Sequence, residues 1–309
     1  MNPFYPDLAI KEKTIENIEM ALYHNYIKMV GKIMLYSPSN MKTFLTFYLL
    51  KFEIINIKQI IIGSILGLRV KDKKKMVNFV VEEYLDNTEF IDDLLKISSL
   101  DEIQYFMKKT RYNIPISEGI SYFKKYREIF VLEAFLDKFY YENMIIQLNN
   151  LRAQERKIIE TFVKYKTEIY NLKIIFRGLK NGIEKELLSQ FLIDYHLFLD
   201  MGKINYLLSI EDLNVLISLI EEYINSNREL KRGSEQKLVD REHLINSIED
   251  LYLHYYFIKF KISMGEIDLI TIFRILELII KKENEIRFHI IPKIVKIIHE
   301  KFEKLQSIE

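Results

Sequence analysis

Glu168 and Asn171 stand three residues apart in a run of Ile, Leu and Phe, which places a carboxylate and an amide one turn apart on one side of a helix. Glu53 and Asn56 write the same pair 115 residues earlier, and each pair is followed two residues on by a lysine, Lys58 or Lys173. Two roles suit such a pair. It can serve proton transfer or hold a cation, or it can saturate polar groups of a neighbouring helix, since buried polar groups need partners. Repetition in separate units favours the second role, because it reads as architecture.

Other groups with chemical potential do not converge. The histidines (His24, His196, His243, His254, His289 and His299) fall on different stretches, and no H-E-x-x-H zinc signature occurs. Glu285 and His289 share a helix face but read as a solvated or core pair. The Glu-x-x-His pairs that helical di-iron sites require are absent. Asp92–Asp93 and Glu221–Glu222 read as wet helix faces. No G-x-x-x-x-G-K-[ST] phosphate loop is present. Cysteine is absent, which excludes disulfides, zinc ribbons, iron–sulfur ligation and cysteine nucleophiles. The expectation is no catalytic residue, no cofactor and no metal.

The elements that would position these residues are helices. Apolar residues recur at Leu213, Leu216, Ile217, Ile220, Tyr223 and Ile224, the stripe of one helix face. Ser209 with Asp212 is expected to start that helix in the manner of a capping box, as Ser99 with Glu102 starts another. Strand alternation and hairpin turns are hard to find, and glycine (9) and proline (5) are scarce in 309 residues. The fold class is all-α. Charged residues make up 29% and the net charge is +1, so nothing global points to nucleic acid. The N-terminus lacks the apolar core of a secretory signal, and the apolar runs 54–68 and 267–280 fall short of the ~20 residues that span a bilayer. A cytoplasmic protein with no transmembrane segment is expected.

Internal repetition sets the organisation. The phrase around Glu53 and Glu168 has a weaker third copy at Glu285, where Phe288 and Ile290 replace Asn and Lys. A second phrase precedes each: Ile18-Glu19 to Tyr26, Leu132-Glu133 to Tyr140, and Ile248-Glu249 to Tyr256. The paired glutamates are separated by 34, 35 and 36 residues. Three helical units are therefore expected, at 1–75, 76–187 and 188–309, with the polar stretch 225–237 as a loop inside the third. Glu, Asn and Tyr of both phrases are expected to hold the units together. Gly63 with Gly67, and Gly178 with Gly182, close the two better copies. Glycine in a helix costs ~1 kcal/mol against alanine. Close helix packing is expected at Gly63 and Gly178, and left-handed C-caps at Gly67 and Gly182. Pro292 is expected to bend or end the third helix.

Basic clusters have a milder reading. The stretches 106–112 and 122–130 interleave Lys and Arg with aromatics, as single-strand binders do, but acidic neighbours favour a charged outer face. Residues 51–75 carry seven Lys/Arg against Glu53 and Asp72 and suit an acidic protein surface or lipid heads, or a solvated loop.

The phrases EIYNLKIIFRG, LEAFLDKFYY and KKENEIRFHI resemble the C subunits of the bacterial and archaeal V-type (A-type) rotary ATPases, relatives of the eukaryotic d subunit, over nearly the whole chain. The resemblance implies a pseudo-threefold helical funnel without enzymatic activity. It implies a place on the cytoplasmic face of the membrane, seated on the proteolipid ring and receiving the base of the shaft formed by the D and F subunits. Ion transport, of protons or sodium, would be coupled there to ATP hydrolysis or synthesis. The alternative is a generic α-helical repeat scaffold that binds a partner helix.

Overall fold

The computed structural model describes residues 15–231, 244–264 and 278–293. His243, His299, residues 232–237 and most of the apolar run 267–280 lie outside the described residues. Every element among the described residues is helical.

Two long hairpins dominate. Helix α1 (Ile15–Tyr36) returns through Ser37 and Pro38 into α2 (Ser39–Ile65). Proline suits that corner, since its fixed φ and missing N–H cost nothing at a helix start. Five shorter helices follow: α3 (Val70–Lys75), α4 (Phe79–Leu85), α5 (Thr88–Lys96), α6 (Leu100–Met107) and α7 (Asn113–Tyr126). The second hairpin joins α8 (Ile129–Gln147) to α9 (Ala153–Lys180) through a 3₁₀ turn at Leu148–Asn150. Helices α10 (Lys185–Ser189), α11 (Met201–Ser209), α12 (Leu213–Ser226), α13 (Arg228–Lys231) and α14 (Leu244–Met264) lead to α15 (278–293).

The long helices lie side by side: α2 packs on α1 and α8, and α9 on α8 and α14. Helix α15 meets α14 through Arg287 and Glu249, and meets α1 and α2 through Glu283. The series of contacts thus returns to its start. Asn40 of α2 donates to Glu155 at the start of α9, which ties the tips of the two hairpins. A continuous apolar core runs from Leu22 to Ile286. Helix α2 buries Phe44, Leu45, Tyr48, Leu49, Leu50 and Ile54, which lie around most of its circumference. It has α1, α3 to α6 and α8 as neighbours, and a helix covered on most sides has little use for a polar face.

Local capping follows the sequence with one correction. Ser99 Oγ accepts the Glu102 N–H at 3.2 Å. At α12 the cap is Asp212, whose carboxylate accepts from Asn214 and Val215 at 2.8 and 3.0 Å. Ser209 instead ends α11 and donates to the Tyr206 carbonyl. A carboxylate next to the first turn satisfies two orphan N–H groups, leaving the serine nothing to cap. The expected loop from Asn225 is also shorter at its front, because Asn225 and Ser226 finish α12 and residues 228–231 add a helical turn. Pro292 neither ends α15 nor leaves it regular. Residues Glu285–Ile290 form a π-helical turn and the helix continues to 293. The wider turn gives the proline ring room where it would otherwise meet the carbonyl four residues back.

Candidate functional site

The long helices enclose a cavity of about 750 Å³. Its lining comes from residues 17–27 of α1, 48–59 of α2, 130–144 of α8 and 162–177 of α9, joined by Glu249 of α14 and Glu283 and Arg287 of α15. In antiparallel hairpins those ranges mark the ends away from the hairpin tips, so the cavity lies toward the end where the short helices attach. Lys75 and Glu19 line it there. Aromatic rings pack at the opposite end. Phe162 stands 6.2 Å from Tyr48, 5.3 Å from Tyr165 and 5.9 Å from Tyr256, ring centre to ring centre.

Charged side chains from separate helices meet in this space. Glu249, fully buried, accepts from Lys166 Nζ at 2.7 Å, Lys173 Nζ at 2.8 Å and both Arg287 Nη atoms at 2.9 and 3.3 Å. Burial alone would raise the Glu249 pKa. The three cations overcome it and hold the carboxyl well below the usual range. Glu283 pairs with Lys51 at 2.5 Å and accepts from the Tyr26 and Tyr48 hydroxyls. Its pKa falls to about 2, burial again being overcome, chiefly by Lys51. Burial brings Lys51 down to about 8 against the pull of Glu283, and lowers Lys173 as well. Lys58 pairs with Asp137 at 2.6 Å, and Glu133 with Arg177 at 3.1 Å.

The Glu and Asn pairs are buried, Asn56 at the cavity wall, and they bind the segments that follow them. Asn56 Nδ2 donates to the Asn78 carbonyl at 3.0 Å while its Oδ1 accepts the Asn78 N–H at 2.9 Å. Asn171 repeats that clasp on Ile193 at 2.9 and 3.0 Å. Both clasps reach 22 residues ahead. One oxygen of Glu168 accepts three successive N–H groups, from Leu197, Phe198 and Leu199, at 2.7, 2.8 and 3.0 Å, and the other accepts the Tyr252 hydroxyl at 2.5 Å. Glu53 accepts from Asn87 at 2.5 Å and from the Tyr112 hydroxyl. Beside it Glu82 accepts from Asn56 at 2.6 Å. Burial, then the charge of Glu53, pushes the Glu82 carboxyl up to about 9.

The third copy is built differently. Glu285 is half-buried and pairs only with Lys282, one turn back, among the bonds described. Asn284 is buried instead and donates to the Ile280 carbonyl. Phe288 and His289 are not among the described side chains. Tyr26 bonds Tyr48 at 2.7 Å, Tyr140 packs on Tyr141, and Tyr256 packs on Phe162 and Tyr165. Glu19 is exposed at the cavity's end. Gly63 and Gly178 lie under the side chains of Lys73 and Leu188, while Gly67 and Gly182 take φ of +67° and +66°. Leu68 N–H to Gly63 and Ile183 N–H to Gly178, at 2.8 and 2.9 Å, complete two Schellman caps.

Sequence reasoning missed Lys51, Lys166, Glu283 and Arg287. Lys51 and Lys166 each precede the repeated glutamate by two residues, and Glu283 holds the same place before Glu285 with its charge reversed. That wider phrase was the available signal.

A model of the ATP synthase (C/AC39) subunit family matches residues 3–291. The C subunit of the A-type ATP synthase of Methanosphaera stadtmanae is 22% identical over 204 residues, which cover 66% of this chain and 52% of that protein. Its counterpart from Pyrococcus furiosus is 21% identical over 278 residues, 90% of this chain and 71% of that protein. The counterpart from Methanosarcina mazei is 23% identical over 288 residues, with 90% and 73% covered. The chain spans about half the length of the Methanosphaera protein and of those from Methanosarcina acetivorans and Methanothermobacter thermautotrophicus. A family model that takes in nearly every described residue, together with these relatives, makes the assignment: this chain belongs to the ATP synthase (C/AC39) subunit family.

Proposed function

We propose that this chain is a non-catalytic coupling subunit of a rotary ATPase, joining the rotor shaft to the membrane proteolipid ring so that ATP hydrolysis or synthesis drives or follows ion transport. The observation that carries it is the cavity itself. Helices from both ends of the chain surround about 750 Å³, aromatic rings pack at one end, and the lining runs to the other. That arrangement suits a socket for the end of a shaft. Long helices locked by ion pairs between elements also make a stiff body, which transmitting torque requires.

The proposed organisation is three units, 1–75, 76–187 and 188–309, arranged as a funnel around the cavity. The matching clasps of Asn56 and Asn171 and the return of α15 to α1 support it. The partners are the D–F shaft pair on one side and the ring on the other. The setting is peripheral, on the cytoplasmic face. No helix among the described residues is long and apolar enough to cross a membrane.

Purification of the native complex tests this. The chain is expected in a rotor subcomplex that holds the shaft pair and the ring. Its absence from that subcomplex, with the shaft and ring joined without it, would overturn the proposal.

A further inference from the structure

Lys166 and Lys173 stand seven residues apart on α9, and both reach the single carboxylate of Glu249, one on each oxygen. The guanidinium of Arg287 bonds the same two oxygens. Three positive groups therefore crowd Glu249, and Glu283, paired with Lys51, acts electrostatically on Arg287 and feels Lys166 as well. An ammonium carries three N–H donors, and among the described bonds each of these lysines spends one on Glu249. All four residues line the cavity, as does Lys51. Their surroundings include Tyr141, Phe162 and Ile174, and such apolar walls strengthen repulsion between like charges. Burial lowers the pKa of both Lys51 and Lys173 although each bonds a carboxylate. The lining carries six Lys and Arg side chains against four Asp and Glu, an excess of positive charge that an anionic ligand relieves.

Size narrows the ligand. Pockets for one compact ligand run from ~300 to ~1,000 Å³, whereas a helix with its side chains is ~10–12 Å across. About 750 Å³ admits the tip of one segment and not two helices side by side.

We propose that the cavity recognises an acidic protein segment, the carboxylate-bearing tip of the shaft, through Lys166 and Lys173. The proposal rests on the coupling function above and adds the chemistry of the contact. Carboxylate oxygens from the tip would take the remaining lysine donors, and the Glu249 cluster would stay intact beneath them.

The test is titration of the full-length chain with the purified shaft pair of its own complex, at about 50 and about 300 mM sodium chloride. Affinity is expected to fall by about tenfold or more between the two. Lys173→Gln is expected to weaken binding several-fold at low salt and to flatten the salt dependence, Lys173→Arg to restore both, and Lys173→Glu to weaken binding further. Melting temperatures report whether each variant folds, and the salt series on the unaltered chain stands if one does not. Binding that ignores salt and is equal in Lys173→Gln overturns the acidic-tip assignment and leaves the coupling function standing. No binding by the unaltered chain at either salt concentration overturns the coupling function itself.

Discussion

Asn171 closes both backbone polar groups of Ile193, donating to its carbonyl at 2.9 Å and accepting its N–H at 3.0 Å. The carboxamide thereby replaces the partner strand or helical turn that this non-helical residue lacks. Asn171 and the Ile193 side chain are both buried, so no water stands ready to take over. Leucine has the right bulk but neither donor nor acceptor. Asn171→Leu should lower stability by about 1–3 kcal/mol, the cost of leaving buried polar groups unpaired. Asn56→Leu, which frees Asn78 in the same way, should fall in the same range. Urea denaturation followed by circular dichroism measures both. Unchanged midpoints together with lost shaft binding would move these residues from architecture to recognition.

The two glycines of the second phrase separate two causes of cost. A Cβ at Gly178 would enter the envelope of Leu188, which is buried, while one at Gly182 would meet nothing within 4 Å. Gly182 instead holds a φ of +66°. Gly178→Ala gains ~1 kcal/mol of helix propensity against overpacking of ~1–3 kcal/mol. Gly182→Ala loses ~1–2 kcal/mol to the left-handed conformation. Trimming Leu188 to alanine should cancel the added cost of Gly178→Ala and leave that of Gly182→Ala untouched. Thermal melts of the three single variants and the two doubles decide the matter, and equal rescue of both would contradict the assignment.

The helical class was legible because periods of three and four residues run through nearly every segment. The Glu and Asn pairs stood out because they recur in register. Their partners were not. Glu53 meets Tyr112, 59 residues away, and Glu168 meets Tyr252, 84 residues away, and no local pattern announces either. Lys51 and Lys166 were passed over because lysine on a helix ordinarily reaches water. Only packing reveals that their side of the helix faces a cavity. Pro292 was legible as a disturbance of its helix but not as a π-helical turn, which the rule for a regular α-helix does not cover.

The Glu82 carboxyl carries a pH signature. Burial, followed by the charge of Glu53, lifts its pKa to about 9, whereas the unfolded chain releases that proton near the ordinary carboxylate value of 4.5. Between those limits the folded state binds more protons than the unfolded state, so stability falls as pH rises. The contribution is fully present below about 4.5 and gone above about 9. Glu82→Gln keeps a neutral group beside Asn56 and removes the titration. It should match the parent near pH 5 and exceed it near pH 9 by on the order of a few kcal/mol, since each tenfold change in proton affinity is worth ~1.4 kcal/mol. Denaturation midpoints across that range provide the comparison. A constant difference at all pH values would show that Glu82 is ionised throughout.

Lys51 and Glu283 offer the sharpest test of how α15 is held. Their ion pair is mostly buried, with side-chain exposures of 18% and 8%, and it links the first hairpin to the last described helix. Removing one partner leaves the other charged in an apolar setting. Glu283→Leu strands Lys51 and deprives the Tyr26 and Tyr48 hydroxyls of their acceptor. The loss should approach the ~3–5 kcal/mol typical of a broken buried pair. Lys51→Met in the same chain removes the stranded charge, and the double variant should recover most of that loss, because apolar groups of similar size often replace a buried pair at little cost. The pair's own interaction then emerges from the double-mutant cycle. Additive losses in the two single variants would mean that the side chains act independently. The join of α15 to α1 and α2 would then rest on the tyrosine hydroxyls and on apolar packing.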